Sequence, residues 1–407
     1  MTEQTQPSFL RRNYAGFIIL ASLLFGGTTT QGIWSDNLLY VAMIPAILIG
    51  FYNFTENNLE KGARILIVLI LAIIALQFIP VSSYNILPLI GGEHSHHFYW
   101  TATVTRGLNT AIAAITALGF FLFLSTFDSR ALKFLIKFIF IGLAINVLVT
   151  VIILSFSARP EVTGLLPYTF RLGLFSNENH FSSLTYLSIP LLAWQFLVKS
   201  WRPIIYVGII GVLLLLQFAV DARAGMLIGS ILAIASFSWA VTLKSSLWLK
   251  VTCAVVALIA VLAALFSNTS SVFDDIGIRS FYNAQVWKIG LEHWLTGTGL
   301  GSFFVIWPFY ETKEIIEPKY IVHAHNDHLE LFMELGIAYF LLLAGFLYLL
   351  LKNAFNSKLT QAATISIAAL LIHSLVDFPL RTTAISVCFA FLAAIIFIQQ
   401  RPKESGV

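Results

Sequence analysis

A short polar stretch near residue 325 contains the side chains that could move a proton. Residues 323–334 (HAHNDHLELFME) include three histidines, three acids and one asparagine, in a chain that is 58% hydrophobic and only 11% charged. Ionisable side chains in such an apolar chain are costly and usually serve a ligand, an ion or a proton. We therefore take this stretch as the first candidate for an active site.

His325 lies just before a predicted helix. Asp327 and Glu330 have the spacing of a capping box, and an apolar run follows them. The positive end of a helix dipole disfavours imidazolium, so a histidine at this position is expected to be neutral. Because a neutral imidazole can take a proton from a hydroxyl, His325 is the predicted catalytic base. The simpler interpretation, in which these groups only cap the helix and meet water, is disfavoured by three histidines within six residues.

A metal site is the competing interpretation of the same cluster, because histidine is the commonest metal ligand. The candidate ligands are His323, His325 and His328, together with the polar side chains of residues 93–97 (EHSHH). No zinc-type spacing such as H-E-x-x-H occurs, so we expect neither a metal nor another cofactor. The two cysteines lie in apolar runs, which indicates packing residues rather than a disulfide.

Arg171, Arg223 and Arg279 are the candidate anion-binding residues. A guanidinium group can hold phosphate oxygens through two parallel hydrogen bonds. Arg223 lies in a very short turn between two apolar runs, where an unpaired charge is costly. We therefore predict that these arginines bind a lipid pyrophosphate. The competing role is anchoring to a lipid headgroup or pairing with an aspartate, for which the candidates are Asp221, Asp274, Asp275 and Asp377. That role is favoured for three other arginines, Arg106, Arg159 and Arg381.

The composition predicts a helical integral membrane protein. Soluble domains contain about 25% charged residues, more than twice the fraction in this chain. Helices satisfy their own backbone groups in lipid, and each crossing needs ~20 residues. We predict an all-α, polytopic protein with one transmembrane domain over residues 1–407 and a loop subdomain over residues 267–327. The twelve candidate crossings are residues 14–33, 38–54, 64–81, 107–127, 131–155, 181–199, 204–220, 224–243, 247–266, 328–351, 359–376 and 381–400.

The basic residues predict the orientation of these crossings. Fifteen of the 24 lysines and arginines fall in short connections on the side of the N-terminus, which the positive-inside rule makes the cytoplasmic side. Both termini are then cytoplasmic. Eight of the nine histidines lie on the opposite, outer side, and His373 lies at the outer end of its run. This asymmetry favours proton-transfer chemistry on the outer face.

The long outer loop contains a second helical pattern, from Tyr282 to Leu295. Two tryptophans and two leucines share one face of it, which suits a helix in the lipid headgroup region. A lid over the bundle is the other interpretation, and the two are compatible. The glycine-rich run at 296–301 (TGTGLG) could bring backbone amides to a phosphate, but a tight connection is favoured.

Four segments, in consistent order between residues 165 and 380, resemble motifs of the bacterial O-antigen ligase and polymerase superfamily. His325-Asn326, then nine residues and Gly336-x-x-Tyr339, is similar to the H-[N/S/Q]-x9-G-x-x-[G/T/Y] motif of the ligases. The run 173–180 (GLFSNENH) resembles the G-x-F-x-N-x-N segment, with Glu178 where proline is common. Residues 222–224 resemble the Ser-Arg-Ala turn, and residues 293–301 resemble the segment before the long-loop glycines.

This resemblance implies a metal-independent, inverting glycosyltransferase of the bacterial inner membrane, with its active site facing the periplasm. The donor would be a glycan on undecaprenyl pyrophosphate. The acceptor would be a sugar hydroxyl, either of lipid A–core for a ligase of lipopolysaccharide biosynthesis or of another lipid-linked repeat for an O-antigen or exopolysaccharide polymerase. His325 would be the base, and Arg223, Arg171 and Arg279 would hold the pyrophosphate. The remaining substrate-binding or orienting residues would be Asn326, Asn177, Asn179, His180 and His323.

A transporter is the alternative from another functional class. Transporters place polar groups and broken helices near the bilayer midplane. Here the predicted crossings contain only isolated polar residues such as Gln77, Asn146, Gln195 and Gln217, and no convincing inverted repeat. These features favour an enzyme whose partners are lipid-linked glycans, an acceptor sugar and membrane lipids, and they indicate no nucleic acid.

Overall fold

The protein is helical throughout the part that the structure, a computed structural model, describes. That part comprises residues 7–30, 32–79, 100–155, 166–169, 171–219, 222–242, 269–311 and 321–398, with backbone alone for Arg223, Thr242 and residues 269–279. Its helices are α1 (Phe9–Phe25), α2 (Trp34–Tyr52), α3 (Lys61–Leu76), α4 (Val104–Leu124), α5 (Ser129–Ser155), α6 (Glu178–Ala193), α7 (Pro203–Ala219), α8 (Arg223–Thr242), α9 (Thr269–Glu292), α10 (Phe303–Ile306), α11 (Asp327–Leu335), α12 (Ile337–Asn353), α13 (Lys358–His373) and α14 (Thr383–Phe397).

Five of these helices are long and apolar enough to cross a membrane: α2, α4, α5, α8, and α6 with the π-helical turn Trp194–Val198 that extends it. Four shorter apolar helices accompany them, α7, α12, α13 and α14. The prediction of an all-α fold is therefore confirmed for the described residues, and the five long apolar helices are compatible with a helical membrane protein. Twelve crossings remain a prediction, and the ninth candidate, residues 247–266, lies outside the described residues.

The predicted tenth crossing, residues 328–351, is divided at Gly336. This glycine has φ +59°, and a Cβ there would lie 2.6 Å from the Trp294 carbonyl oxygen, so no larger side chain fits. The helix before the break, α11, buries Asp327, Glu330 and Glu334. It is enclosed by the loop segment 269–311, whose Thr298 and Gly299 donate to the carbonyls of Met333 and Glu334. Thus α11 belongs to a layer on the end of the bundle, and only α12 continues as an apolar helix.

The connections predicted to be outer meet at one end of the bundle, which we call the histidine end. Asp327 N donates to Asp377 O at 3.2 Å, Ser176 N to Gly27 O at 3.0 Å, and Leu300 N to Gln77 Oε1 at 3.2 Å. Contacts among the opposite connections include the ion pair between Lys352 Nζ and Glu60 Oε2 at 3.1 Å. The two predicted sets of connections are thus separated in space, while the side of the membrane that each faces stays a prediction.

Isolated polar residues of the predicted crossings serve internal packing. Asn146, near the middle of α5, donates to Leu23 O at 3.1 Å and accepts from Leu174 N at 2.8 Å. It therefore anchors the segment before α6, where Gly173 has φ +54° and a Cβ would lie 2.6 Å from Asn146 Oδ1. Gln217 is fully buried and bonds Thr185 on α6. Internal hydrogen bonds therefore account for both buried polar side chains, and no transport pathway is needed to explain them.

The long loop contributes a helix and a tight turn to the histidine end. Helix α9 begins before the predicted Tyr282 and buries one face against α10 and α11. The predicted apolar face stays exposed, with Trp287 at 43% and Trp294 at 53%, so the helix both covers the bundle and presents apolar side chains outward. The amides of Gly297, Thr298 and Gly299 donate to protein carbonyls, which confirms a tight connection in preference to a phosphate loop.

Candidate active site

The carboxylate of Asp377 joins three parts of the chain at the histidine end. It lies in the connection between α13 and a 3-10 turn, Pro379–Arg381, and is fully buried. Its Oδ2 accepts from Asn179 Nδ2 at 2.6 Å, and its Oδ1 accepts from Phe378 N at 2.9 Å. The same Oδ1 is 3.5 Å from His325 Nδ1 and 3.9 Å from His180 Nε2. One buried acid thus faces two histidines from different elements.

His325 is held between this carboxylate and the ring of Phe378. Its backbone has φ +51°, in the left-handed region that few non-glycine residues adopt. The ring meets Phe378 edge-on at 5.1 Å, and the side chain is 35% exposed. A Nδ1–H directed at Asp377 leaves Nε2 as the acceptor nitrogen. The 3.5 Å separation is long for a hydrogen bond, as catalytic contacts often are before substrate binds.

Opposing effects act on the protonation of Asp377. Burial alone would raise the pKa of its carboxyl, but the hydrogen bonds and electrostatic attraction of the His180 and His325 rings hold that pKa well below the ordinary value. The carboxylate is therefore ionised at neutral pH and can stabilise a proton arriving on His325.

The N-terminus of α6 supplies the other neighbours of Asp377. Asn177 is the N-cap, and its side chain accepts from Asn179 N at 2.8 Å, while the Asn179 amide holds Asp377. His180 is fully buried, bonds Thr382 and lies edge-on to Phe378 at 5.0 Å. These predicted site residues converge on Asp377, where they position its carboxylate.

Arg381 organises a separate buried charge cluster beside this centre. Its guanidinium is 3.4 Å from Asp327 Oδ1, 3.3 Å from Glu330 Oε1 and 3.2 Å from Glu334 Oε2. Burial would lower the pKa of Arg381, but the three carboxylates raise it, so the group stays charged. Burial and the neighbouring Glu330 raise the pKa of Glu334 to about 7, against the effect of Arg381. As predicted, Arg381 is paired with acids, although these belong to α11.

The other members of the polar stretch have separate partners. His323 Nδ1 is 2.8 Å from Glu330 Oε1, and His328 bonds Tyr339 and, at 2.8 Å, Leu371 O. Within the described residues no three metal-ligating side chains converge on one point. The segment 93–97, which the metal interpretation also used, lies outside them.

Asn326, rather than Asp327, caps α11, so the predicted capping box is wrong by one residue. Asn326 Oδ1 accepts from Leu329 N at 3.0 Å, and Nδ2 donates to Leu375 O at 2.8 Å. Glu330 instead accepts from Ala324 N at 2.8 Å. Both ends of the Asn326 amide are thus bonded to the backbone, and they fix the position of the neighbouring His325.

The predicted pyrophosphate arginines lie in different surroundings. Arg171 is 58% exposed and pairs with Glu178 at 3.5 Å. Arg223 is the first residue of α8, two positions before Gly225, whose Cβ would lie 2.2 Å from Ser182 near the start of α6. The α8 backbone at Arg223 is therefore at the histidine end. The side chains of Arg223 and Arg279 lie outside the described residues, as does Arg159.

Asp377 is the site residue whose role the sequence did not indicate. Sequence reasoning treated it only as a partner for arginines, because it stands 52 positions after His325 and outside every recognised motif. One signal in the sequence could have indicated this role. Asp377 is an acid in a short connection predicted to be outer, and Phe378 and Pro379 follow it at the start of the 3-10 turn.

The chain matches no protein-family model, and no curated protein is significantly similar to it.

Proposed function

We propose that this protein is a membrane-embedded glycosyltransferase that moves a glycan from undecaprenyl pyrophosphate to a sugar hydroxyl, as O-antigen ligases do. The observation that carries the proposal is the partly exposed His325 backed by the buried Asp377 carboxylate at one end of an apolar bundle. Histidine with a carboxylate behind it is an arrangement suited to taking a proton from a hydroxyl. The motif resemblance in residues 165–380 supplies the substrate class.

In the proposed reaction, His325 Nε2 takes the proton of the acceptor hydroxyl while that oxygen attacks the anomeric carbon of the donor glycan. The new bond joins the acceptor oxygen to this carbon. The bond between the carbon and the pyrophosphate oxygen breaks, and its electron pair leaves with undecaprenyl pyrophosphate. Attack opposite the leaving group inverts the configuration. Asp377 stabilises the imidazolium that forms.

The leaving pyrophosphate needs positive charge, which arginine can supply without a metal. Arg223 is favoured for this role because α8 starts beside the N-terminus of α6. Arg171 is also suitable, since its side chain is largely exposed and the ion pair that it makes with Glu178 is at the surface. Arg279 is proposed on its sequence position alone. Arg381 is not proposed, because three acids already surround its guanidinium.

The proposed location is the bacterial inner membrane, with the termini in the cytoplasm and the histidine end in the periplasm. The concentration of basic residues at the opposite end supports this orientation. Cysteine labelling of intact cells tests it. A cysteine replacing the exposed Thr105 should react with an impermeant maleimide, and a cysteine replacing the exposed Thr55 should not.

The proposed activity is tested with purified protein in nanodiscs. The donor is an undecaprenyl-pyrophosphate-linked oligosaccharide, the acceptor is lipid A–core, and EDTA is present throughout. Glycosylated lipid A–core with release of undecaprenyl pyrophosphate is expected. Longer chains that remain on undecaprenyl pyrophosphate, with lipid A–core unused, would instead identify a polymerase. Absence of any transfer by a folded protein, with matched donor and acceptor, would reject the proposal.

A further inference from the structure

A cavity of about 250 Å³ lies at the histidine end, beside the His325–Asp377 pair but separate from it. Its sides come from the first turns of α4, the residues after α1 and the turn before α10, and its floor comes from α11 and Arg381. The side chains that line it include Thr30, Arg106, Asn109, Phe304, His323 and Glu334. At this volume it is smaller than the ~300–1,000 Å³ clefts that hold drug-sized ligands, which suits a single small ring.

The floor of the cavity offers an acceptor that has no donor. Glu334 is fully buried, and its Oε2 receives Arg381 Nη2 at 3.2 Å. Its Oε1 is buried without a hydrogen-bond partner among the described residues. A buried carboxylate oxygen that lacks a donor is costly, and an incoming O–H or N–H group would remove that cost. Because Glu334 lines the cavity, a hydrogen-bond donor that reached Oε1 from this side would satisfy the buried acceptor.

The charges on the floor of the cavity disfavour an anion there, while the Arg106 guanidinium on a side wall keeps its positive charge. The guanidinium of Arg381 is committed to the carboxylates of α11, and that of Arg106 stacks on the ring of Phe304 at 3.7 Å. Two carboxylates, those of Glu330 and Glu334, line the same space. A phosphate or a uronic acid would meet these carboxylates without an uncommitted guanidinium on the floor. A neutral ligand with several hydroxyl groups avoids that repulsion.

The walls add polar and aromatic groups on different sides. Asn109 brings an amide that can both donate and accept, and Thr30 adds a hydroxyl near the surface. Phe303 and Phe304 supply aromatic rings, one face of Phe304 being covered by Arg106 and Phe303 being stacked on Trp307. An apolar ring face combined with several fixed hydrogen-bonding groups matches the surface of a pyranose, which has C–H faces and a hydroxyl rim.

The ring of Phe378 lies between the cavity and the proposed base, His325. His323, which lines it, lies 4.6 Å from the Phe378 ring, and His325 lies 5.1 Å from the same ring. A sugar in the cavity would therefore place a neighbouring unit of the same glycan near His325. The carboxylates on the floor disfavour the donor diphosphate here, which favours the acceptor as the source of this sugar.

We infer that this cavity is a binding subsite for one neutral sugar ring of the acceptor, with a ring hydroxyl donating to Glu334 Oε1 and a second hydroxyl bonded to Asn109. The assignment of this sugar to the acceptor rests on the proposed glycosyl transfer. The binding of a neutral sugar can be measured without transfer. The inference assigns a specificity role to Glu334 and Asn109, which the catalytic proposal leaves unused.

The binding test uses saturation-transfer NMR on the protein in nanodiscs, with glucose, galactose, N-acetylglucosamine, glucuronic acid and inorganic phosphate as probes. At least one neutral sugar should receive saturation, and neither glucuronic acid nor phosphate should displace it. Thr30→Phe should abolish the signal by filling the mouth, and Asn109→Ala should weaken it at least fivefold. Thr55→Phe, a matched change at an exposed threonine of the opposite end, should leave it unchanged.

Glu334→Gln provides the sharper readout, because glutamine can keep one oxygen toward Arg381 while losing the acceptor oxygen in the cavity. Its acceptor KM should rise at least fivefold with an unchanged donor KM. Neutral-sugar binding that is absent, that survives Thr30→Phe, or that is displaced by phosphate would overturn the inference. Sugar binding without transfer would overturn only the proposed function. Transfer with an unchanged acceptor KM in both Glu334→Gln and Asn109→Ala would overturn only the subsite.

Discussion

Asp377→Asn is the substitution that most sharply separates a catalytic carboxylate from a structural one. The carboxylate accepts at both oxygens, from Asn179 Nδ2 at 2.6 Å and from Phe378 N at 2.9 Å. Asparagine has the same shape but only one acceptor oxygen, so in either orientation its NH2 group faces a buried donor. Leaving one buried donor without an acceptor costs ~1–3 kcal/mol of folding free energy. The variant should therefore fold, with a lower unfolding temperature.

The effect on transfer should be larger than the effect on folding. Without the carboxylate, His325 loses the partner that orients its Nδ1–H and stabilises the imidazolium, and general-base catalysis is worth ~10²–10⁴ in rate. We expect the transfer rate per folded molecule to fall by about that factor, with little change in donor KM. The assay pairs initial rates of glycan transfer in nanodiscs with unfolding followed by intrinsic fluorescence.

Glu60→Gln is the matched control for Asp377→Asn. Glu60 is a buried acid at the opposite end, paired with Lys352 at 3.1 Å. This variant should lose some stability and keep the wild-type transfer rate. Folded Asp377→Asn protein that transfers glycan at the wild-type rate would refute the role of the carboxylate in orienting the base.

Three further predictions concern the same end of the bundle. His325→Gly and His325→Ala should both abolish transfer, but the glycine variant should unfold at the higher temperature because φ +51° suits glycine; equal unfolding temperatures would contradict this. Arg381→Met should lower the free energy of unfolding by ~3–5 kcal/mol, because it leaves the carboxylates of α11 buried without their cation; a loss below 1 kcal/mol, on the order of an exposed pair, would argue against the cluster. The pKa of Glu334 is raised from 4.5 to about 7, so the folded state retains a proton that the unfolded state releases, and stability should fall as pH rises through that window. Glu334→Gln, which resembles the protonated form, should flatten this fall in urea unfolding between pH 5 and 8, and an unchanged slope would contradict the assignment.

The features that the sequence predicted correctly depend on neighbours along the chain. Apolar runs and their flanking basic residues specify helices and their ends, and most of the described apolar helices coincide with predicted runs to within a few residues. The first helix is an exception, because it ends at Phe25 and not at residue 33. The division at Gly336 was missed because the residues on both sides are mostly apolar. Only the packed backbone of Trp294 shows why a glycine is required there.

The features that the sequence could not predict depend on distant pairing. His325 and Asp377 meet because α11 and the connection after α13 are joined by a backbone hydrogen bond from Asp327 to Asp377. Arg381 lies only four residues from Asp377, yet it pairs with α11 acids about fifty positions earlier. The spacing of Asp327 and Glu330 also predicted Asp327 as the N-cap of α11. In the structure Asn326 has the extended backbone and the side-chain oxygen that cap the helix.

The central claim is that His325 takes a proton from a sugar hydroxyl during glycan transfer. The most direct measurement compares wild-type and His325→Ala protein, both folded in nanodiscs, for single-turnover transfer from an undecaprenyl-pyrophosphate-linked oligosaccharide to lipid A–core in EDTA. We expect wild-type protein to form product and the variant to bind donor normally while its rate falls by ~10² or more. Product formation at the wild-type rate by His325→Ala would contradict the claim.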